Sequence, residues 1–318
     1  MFASPNVINR TPQTLAQSAS LCVFTTVRIV FANIGRNTMA ETDQRVALIT
    51  GCGKENGIGA ATAQKLARDG YIVAVSDVAA AGVDNDNSVE KAASSWQGLD
   101  TLVARIEEAG GSATSFTGDV STEDGAAHLV KSTIEKYGRL DALVNNAGAP
   151  HGQDRGQIET VPLDAWENVM AINVRGPFLM SRAVVPHMKS RGYGRIVSLA
   201  SVAGLEALPE RAAYCASKAA VIGFTRSLAY DMARHGVTVN CVCPGSIRTD
   251  RAISSTMKAG YTNVEQGLAE RAKPIPVGRH GKPEEIAAAI SYLASEDAAF
   301  TTGQAIVVDG GGLPPTAF

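Results

Sequence analysis

The chain has 318 residues, 29 Lys and Arg against 31 Asp and Glu, and a net charge of -2 with a pI near 6.2. That balance supplies no electrostatic reason to expect nucleic acid or an anionic membrane as a partner. Hydrophobic residues at 45% and charged residues at 19% suit a globular chain with a sizeable core, and the length accommodates one large α/β domain or two small ones.

Residues 1–40 contain no acidic side chain but hold Arg10, Arg28 and Arg36 among several Ser and Thr. The composition resembles a mitochondrial transit peptide, or equally sequence upstream of a start at Met39. Its apolar stretch from Leu21 to Ile34 is interrupted by Arg28 and is too short to span a bilayer. Residues 1–44 are therefore set aside as a leader or poorly ordered extension, and 45–318 are read as the folded domain. The expected location is cytoplasmic, or mitochondrial if the leader is a working transit peptide.

The apolar run Val46-Ala47-Leu48-Ile49 passes into a turn holding Gly51, Gly53, Gly57 and Gly59, then into the helical stretch Ala60 to Ala67. Strand, tight glycine turn and helix in that order suit a pyrophosphate, because glycines admit close backbone approach and a helix N-terminus favours negative charge. Tyr71 to Asp77 reads as a second strand. Asp77 stands roughly 20 residues past the turn, where a carboxylate accepts the adenine ribose hydroxyls of a dinucleotide. It would repel the extra phosphate of NADP and so favours NAD. Lys54 in the turn pulls toward NADP, but a loop lysine can swing away while a strand end is fixed.

Ala79 to Gly98 is small and polar and reads as a surface excursion before a helix over Leu99 to Glu108. Ala113 to Val120 is strand and turn. Ala126, Leu129, Val130, Thr133, Ile134 and Tyr137 recur at helical spacing, predicting an amphipathic helix over Thr122 to Tyr137 capped by Ser121 or Thr122. Leu140 to Asn145 is a short apolar strand, followed by a long helical region from Pro162 to Ser190. Then come a strand over Gly194 to Leu199, a helix over Ala212 to His235, a strand over Val237 to Cys243 stopped by Pro244-Gly245, a helix over Glu284 to Ala294 and a last strand over Ala305 to Asp309. The alternation predicts a single Rossmann-type, doubly wound α/β domain with a mostly parallel seven-stranded sheet and a ligand at the carboxyl ends of its strands.

Tyr214 and Lys218 lie four apart in one predicted helix, hence on one face. An ammonium beside a phenol lowers the phenol pKa from about 10 toward the working pH, as a general acid/base requires. Ser201 sits just past a strand, where its hydroxyl can reach a substrate oxygen or cap its own backbone. Asn173 lies mid-helix among apolar neighbours, so its amide needs a partner. His151, after the strand ending in Asn145, lines a substrate cleft or is a solvated loop residue. The five cysteines, Cys22, Cys52, Cys215, Cys241 and Cys243, and the five histidines show no metal or redox spacing, so buried thiols in a reducing compartment and no metal are expected.

These residues together resemble the short-chain dehydrogenase/reductase family from about Arg45 to Gly312. The motifs are Thr50-Gly51 with Gly57-Ile58-Gly59, Asp119-Val120, Asn145-Asn146-Ala147-Gly148, Asn173, Ser201, Tyr214 with Lys218, and Pro244-Gly245-Ser246-Ile247-Arg248-Thr249. The resemblance implies reversible hydride transfer between a nicotinamide and a secondary alcohol or ketone. Tyr214 is then the proton donor or acceptor, Ser201 polarises the substrate oxygen, Lys218 binds the nicotinamide ribose and tunes Tyr214, and Asn173 holds a water. Ile58, Asp119, Val120, Asn146, Ala147, Gly148, Pro244, Gly245, Ile247 and Thr249 become cofactor contacts, and a homotetramer is expected. A 3-oxoacyl-carrier-protein reductase using NADPH is the nearest alternative. A nicotinamide-binding regulator without turnover would show a gap among the four polar positions, and all four are filled.

Two departures from the family pattern stand out. The glycine turn is two residues longer between Gly51 and Gly57, and the Asp77 to Asp119 segment is longer by about fifteen, a length that invites a functional loop. The substrate pocket is expected under Arg248 to Ile275, where Arg248, Arg251, Lys258, Arg271 and Lys273 meet a carboxylate or coenzyme-A phosphate or form a solvated helix face, the reading composition alone favours.

Overall fold

The computed structural model describes residues 44–83 and 95–313. The expected leader, with Cys22, and residues 84–94 of the excursion after the second strand lie outside the described residues. Seven strands form one sheet: β1 (Val46–Thr50), β2 (Ile72–Asp77), β3 (Ser112–Thr117), β4 (Ala142–Asn145), β5 (Gly194–Leu199), β6 (Val237–Pro244) and β7 (Ala305–Val308). Their order is β3-β2-β1-β4-β5-β6-β7 and every neighbouring pair is parallel. Strand direction therefore puts all the carboxyl ends on one edge. Because β2 and β4 both pair with β1, the connections leaving β1 and β4 diverge to opposite faces and open a crevice between them.

Alternation of side chains along each strand divides the core into two layers. Ala47, Ile49, Val73 and Val75 point to the face covered by α1 (Ile58–Arg68), α2 (Leu99–Glu108) and α9 (Pro283–Ala294), where Leu66, Leu102 and Ile290 are fully buried. Val46, Leu48, Ile72 and Ala74 point the other way, against α3 (Glu123–Tyr137), α5 (Gly176–Arg191) and α6 (Ala212–Met232), meeting Leu129, Met180 and Met188. Cys52 is a small buried member of the first layer, Cys241 and Cys243 belong to a separate buried cluster with Val221 and Ile222, and Cys215 is half-buried.

Most elements fall where periodicity puts them, and α3 is capped by Thr122, whose hydroxyl accepts the Gly125 N–H at 3.1 Å. The helical region from Pro162 to Ser190 is different. It consists of α4 (Leu163–Met170), one wide π turn over Ala171–Arg175, and α5. Pro177 has no N–H to offer the carbonyl of Asn173 four residues earlier, so the α-helical ladder fails there and a wider turn takes over. Two further helices, α7 (Asp250–Lys258) and α8 (Val264–Ala272), stand over the crevice. No described helix is long and apolar enough to cross a membrane.

Candidate active site

The crevice is a cavity of about 680 Å³ running from the glycine turn to the roof formed by α7 and α8. Its floor is latched by side chains of β1 and β4. Thr50 Oγ1 accepts the N–H groups of Asn146 and Ala147 at 3.1 and 3.0 Å, while Asn146 Nδ2 donates to the carbonyls of Thr50 and Gly51 at 2.7 and 2.9 Å. Gly51 is left-handed, with φ +73°, and a side chain there would put its Cβ 2.8 Å from Ala147 Cα. Helix α1 starts at Gly57 with no side-chain cap, so its first N–H groups remain available to an anion. Gly51, Gly57, Ile58, Asp77, Asp119, Val120, Asn146, Ala147, Gly148, Pro244, Gly245, Ile247 and Thr249 all line this cavity.

Gly53 and Gly59 do not line it and have other tasks. Gly53 gives its N–H to Asp77 Oδ2 at 2.8 Å and takes the indole N–H of Trp96 on its carbonyl at 2.9 Å. Gly59 lies under the turn, where a Cβ would stand 2.4 Å from the Gly51 carbonyl oxygen. The two glycines shape the turn from behind because the chain must pack against itself there. Two residues of the lengthened turn are anchored to neighbouring elements, Glu55 to Arg105 of α2 at 2.7 Å and Asn56 to Asp250 of the roof helix α7 at 3.2 Å. Asp77 closes β2 with its other oxygen on the Val78 N–H at 2.8 Å. Burial pushes its carboxyl up, opposed by the Gly53 and Val78 N–H groups and by Lys54.

At the opposite end Tyr214 stands in the first turn of α6 with Lys218 one turn on, its ammonium 5.7 Å from the centre of the tyrosine ring. Lys218 is buried and donates to the Leu199 carbonyl at 2.7 Å. Burial raises the Tyr214 pKa, but Lys218, Arg251, the Ser201 hydroxyl and Arg155 together bring it below its ordinary value. Burial lowers Lys218, partly offset by Tyr214. Ser201 ends the connection from β5, where its Oγ accepts the Ala203 N–H at 3.2 Å and its hydroxyl is directed at Tyr214. Asn173 is the exception among the four. The π turn aims it inward, where Oδ1 accepts the Ala149 N–H at 2.8 Å and Nδ2 donates to Ser217 Oγ at 3.0 Å. It lies behind the lining rather than in it.

Residues 51–312 match the family model described as Enoyl-(Acyl carrier protein) reductase. An uncharacterized oxidoreductase of Thermotoga maritima is 42% identical over 84% of this chain and 96% of its own. The 2-(R)-hydroxypropyl-CoM dehydrogenase of Xanthobacter autotrophicus is 38% identical over 84% and 97%. Among solved structures, an actinorhodin polyketide ketoreductase variant with NADPH matches at a TM-score of 0.75 and 35% identity, covering 86% of this chain and 99% of its own. The chain belongs to the short-chain dehydrogenase/reductase family. It is an oxidoreductase of CH–OH groups, transferring hydride between a nicotinamide cofactor and an alcohol or ketone.

The substrate end of this dehydrogenase/reductase holds residues that sequence reasoning missed. Arg155 and Arg211 line the cavity together with Arg251 and Arg271 of the roof. Arg211 stands three residues before Tyr214, a proximity that was itself the available signal; Arg155 sits in an irregular loop with no pattern to mark it. Of the basic roof residues, Arg251 and Arg271 face the cavity, while Arg248 and Lys273 pair with Glu265 and Glu270 at the surface. His151 is buried and lines the cleft, so the solvated reading does not hold. Burial, then Arg251, Arg155, Arg211 and Lys258, lower its pKa to about 2, which leaves it neutral.

Proposed function

We propose that this enzyme is an NAD-dependent secondary-alcohol dehydrogenase or ketone reductase in which Tyr214 is the general acid/base. The observation that carries the reading is the Tyr214 and Lys218 pair, its charge-lowered phenol opening into the same cavity as the uncapped N-terminus of α1 and the Asp77 carboxylate. A dinucleotide fits these residues: the left-handed Gly51, packed against Ala147, lets bare backbone line the cavity where a pyrophosphate would lie. Asp77 is held in place by Gly53 and Val78 to meet the adenosine ribose, with Asp119 and Val120 beside the adenine. When bound, the nicotinamide exchanges a hydride with the carbinol carbon.

The protein's own part is the proton. During oxidation the Tyr214 oxygen takes the hydroxyl proton of the alcohol, and during reduction it returns one to the carbonyl oxygen. Ser201 donates a hydrogen bond to that same oxygen and fixes its distance from Tyr214. Lys218, held by the Leu199 carbonyl, keeps a positive charge next to the phenolate. Asn173 acts as a positioning residue: through Ser217, whose Oγ donates to the Tyr214 carbonyl at 2.8 Å, it ties the first turn of α6 to the strand β4 connection.

Steady-state assays with a panel of secondary alcohols and both cofactors test the reading. NADH and NAD are expected to give the higher kcat/KM, and Tyr214→Phe to lose activity while cofactor titration by fluorescence is retained. A strong preference for NADPH would overturn the use of Asp77 and move the assignment to the 3-oxoacyl-carrier-protein reductase reading, which Lys54 in the lining favours. We also propose a homotetramer, supported by the exposed Leu163, Phe178 and Tyr230 on α4, α5 and α6. Light scattering should give four times the chain mass of 33.1 kDa, and a monomer would count against it.

A further inference from the structure

The substrate end carries more positive charge than proton transfer needs. Arg155, Arg211 and Arg251 converge on it around His151. The Arg211 side chain makes no hydrogen bond or ion pair among the described residues, while its carbonyl accepts the Cys215 N–H at 2.9 Å. The Nε of Arg155 is buried without a hydrogen bond and lies 3.8 Å from Asp154, while its guanidinium carbon is 5.7 Å from the centre of the Tyr214 ring. Arg251 is steered inward by a hydrogen bond from its guanidinium to the Ala149 carbonyl. Four carboxylates of the same cavity are held elsewhere: Asp77 and Asp119 hold backbone N–H groups at the glycine-turn end, Asp250 accepts from Asn56, and Asp309 holds Gly311 and Leu313, which leaves Glu206 as the remaining lining carboxylate against the four lining arginines, Arg155, Arg211, Arg251 and Arg271.

Gathering like charges in a half-buried space is unfavourable unless an opposite charge joins them. The Arg155 guanidinium is affected accordingly: burial first and Arg211 next lower its pKa to about 10, against the opposing pull of Asp154. The backbone also works to hold the arrangement. Glu210, immediately before Arg211, is the one non-glycine residue with positive φ among the described residues, at 58°. Its carbonyl accepts the N–H of Gly156, next to Arg155, at 3.0 Å. A strained residue thus joins the two segments that carry the arginines, which is where strain tends to be kept when a site must be pre-arranged.

We propose that the substrate is an anionic alcohol or ketone whose carboxylate, sulfonate or phosphate is received by Arg155, Arg211 and Arg251 within a few bonds of the reacting carbon. The short reach follows from the closeness of Arg155 to the Tyr214 ring. This substrate class rests on Tyr214 being the acid/base of the reaction.

The test uses the full chain with matched secondary alcohols that differ at the head group: 3-hydroxybutyrate, its neutral methyl ester, and the corresponding secondary alcohol bearing a sulfonate or a phosphate. The expected result is a kcat/KM at least tenfold higher for one of the anions than for the ester, with the best anion identifying the head group. In Arg211→Met that ratio should fall at least tenfold, carried by KM, and Arg211→Lys should recover part of it. An ester used as well as the acids, or a preference that survives Arg211→Met, overturns the proposal. If none of the compounds turns over with either cofactor, calorimetry of the cofactor-loaded protein separates the two ideas. Anion binding that is lost in Arg211→Met keeps the charge site and sinks the Tyr214 reading, whereas no anion binding sinks the charge site as well.

Discussion

The two ends of the cleft are built from different materials. The glycine-turn end is backbone and short side chains: Thr50, Asn146 and Asp77 hold it with bonds of 2.7 to 3.1 Å, and Gly51 and Gly59 are packed too closely for any Cβ. The substrate end is made of long arginine side chains from three separate segments, with Arg211 left unpartnered among the described residues. A ligand shared by many enzymes is met by main chain, which tolerates little change. The ligand that distinguishes one enzyme from another is met by side chains that can be exchanged without disturbing the sheet.

The sharpest break of this contrast is at Tyr214. Replacing it with Phe should reduce kcat by roughly 10²- to 10⁴-fold with the cofactor dissociation constant unchanged, since the glycine-turn end does not use the hydroxyl. Lys218→Ala tests the charge on the phenol separately. Lys218 is the foremost influence lowering the Tyr214 pKa, so its loss moves that pKa up. The oxidation rate, which rises with deprotonation of Tyr214, should then turn on at higher pH, and the measured kcat/KM profile should shift to the alkaline side. A profile that stays in place would show that Lys218 does not tune the phenol.

At the other end, Gly59→Ala should destabilise the fold by about 1–3 kcal/mol through overpacking against Gly51 and Asn146, a loss of a few degrees in Tm that thermal scans will read. Trp96→Phe, which removes one hydrogen bond to the Gly53 carbonyl, should cost about 1 kcal/mol and raise the cofactor KM more than the substrate KM. The smallest effect is expected for Arg248→Ala. Its partner Glu265 is exposed, so stability should change by less than about 1 kcal/mol and activity should stay level in the same assays.

The same contrast governs what the sequence discloses. Parallel strands buried on both faces tend to be continuous apolar runs, so β1 and β4 are visible from composition, while β5 and β6 carry Arg195, Ser198, Thr238 and Asn240 within the run. The turn was visible because close packing leaves glycine as the sole choice at Gly51 and Gly59. What the pattern does not convey is which glycine faces a ligand: Gly53 and Gly59 match the motif yet serve the protein interior. Nor does it show the π turn, since Ala171 to Arg175 has helical periodicity and Pro177 acts one turn away on a carbonyl it fails to reach. Arg155 escaped because a loop arginine has no period, and its task arises when β4 and α6 bring it beside Tyr214.

The chain contains two tryptophans, one against the glycine turn and one packed beside the first turn of α6. Trp96 lies under the glycine turn with the Arg105 guanidinium 5.0 Å from its ring centre, while Trp166 packs with Ala149 and Ala213 next to the helix that carries Tyr214. Their emission is therefore a pair of built-in optical reporters. Two variants, each keeping a single indole, would let nucleotide loading and substrate capture be watched separately by stopped flow, without any attached dye.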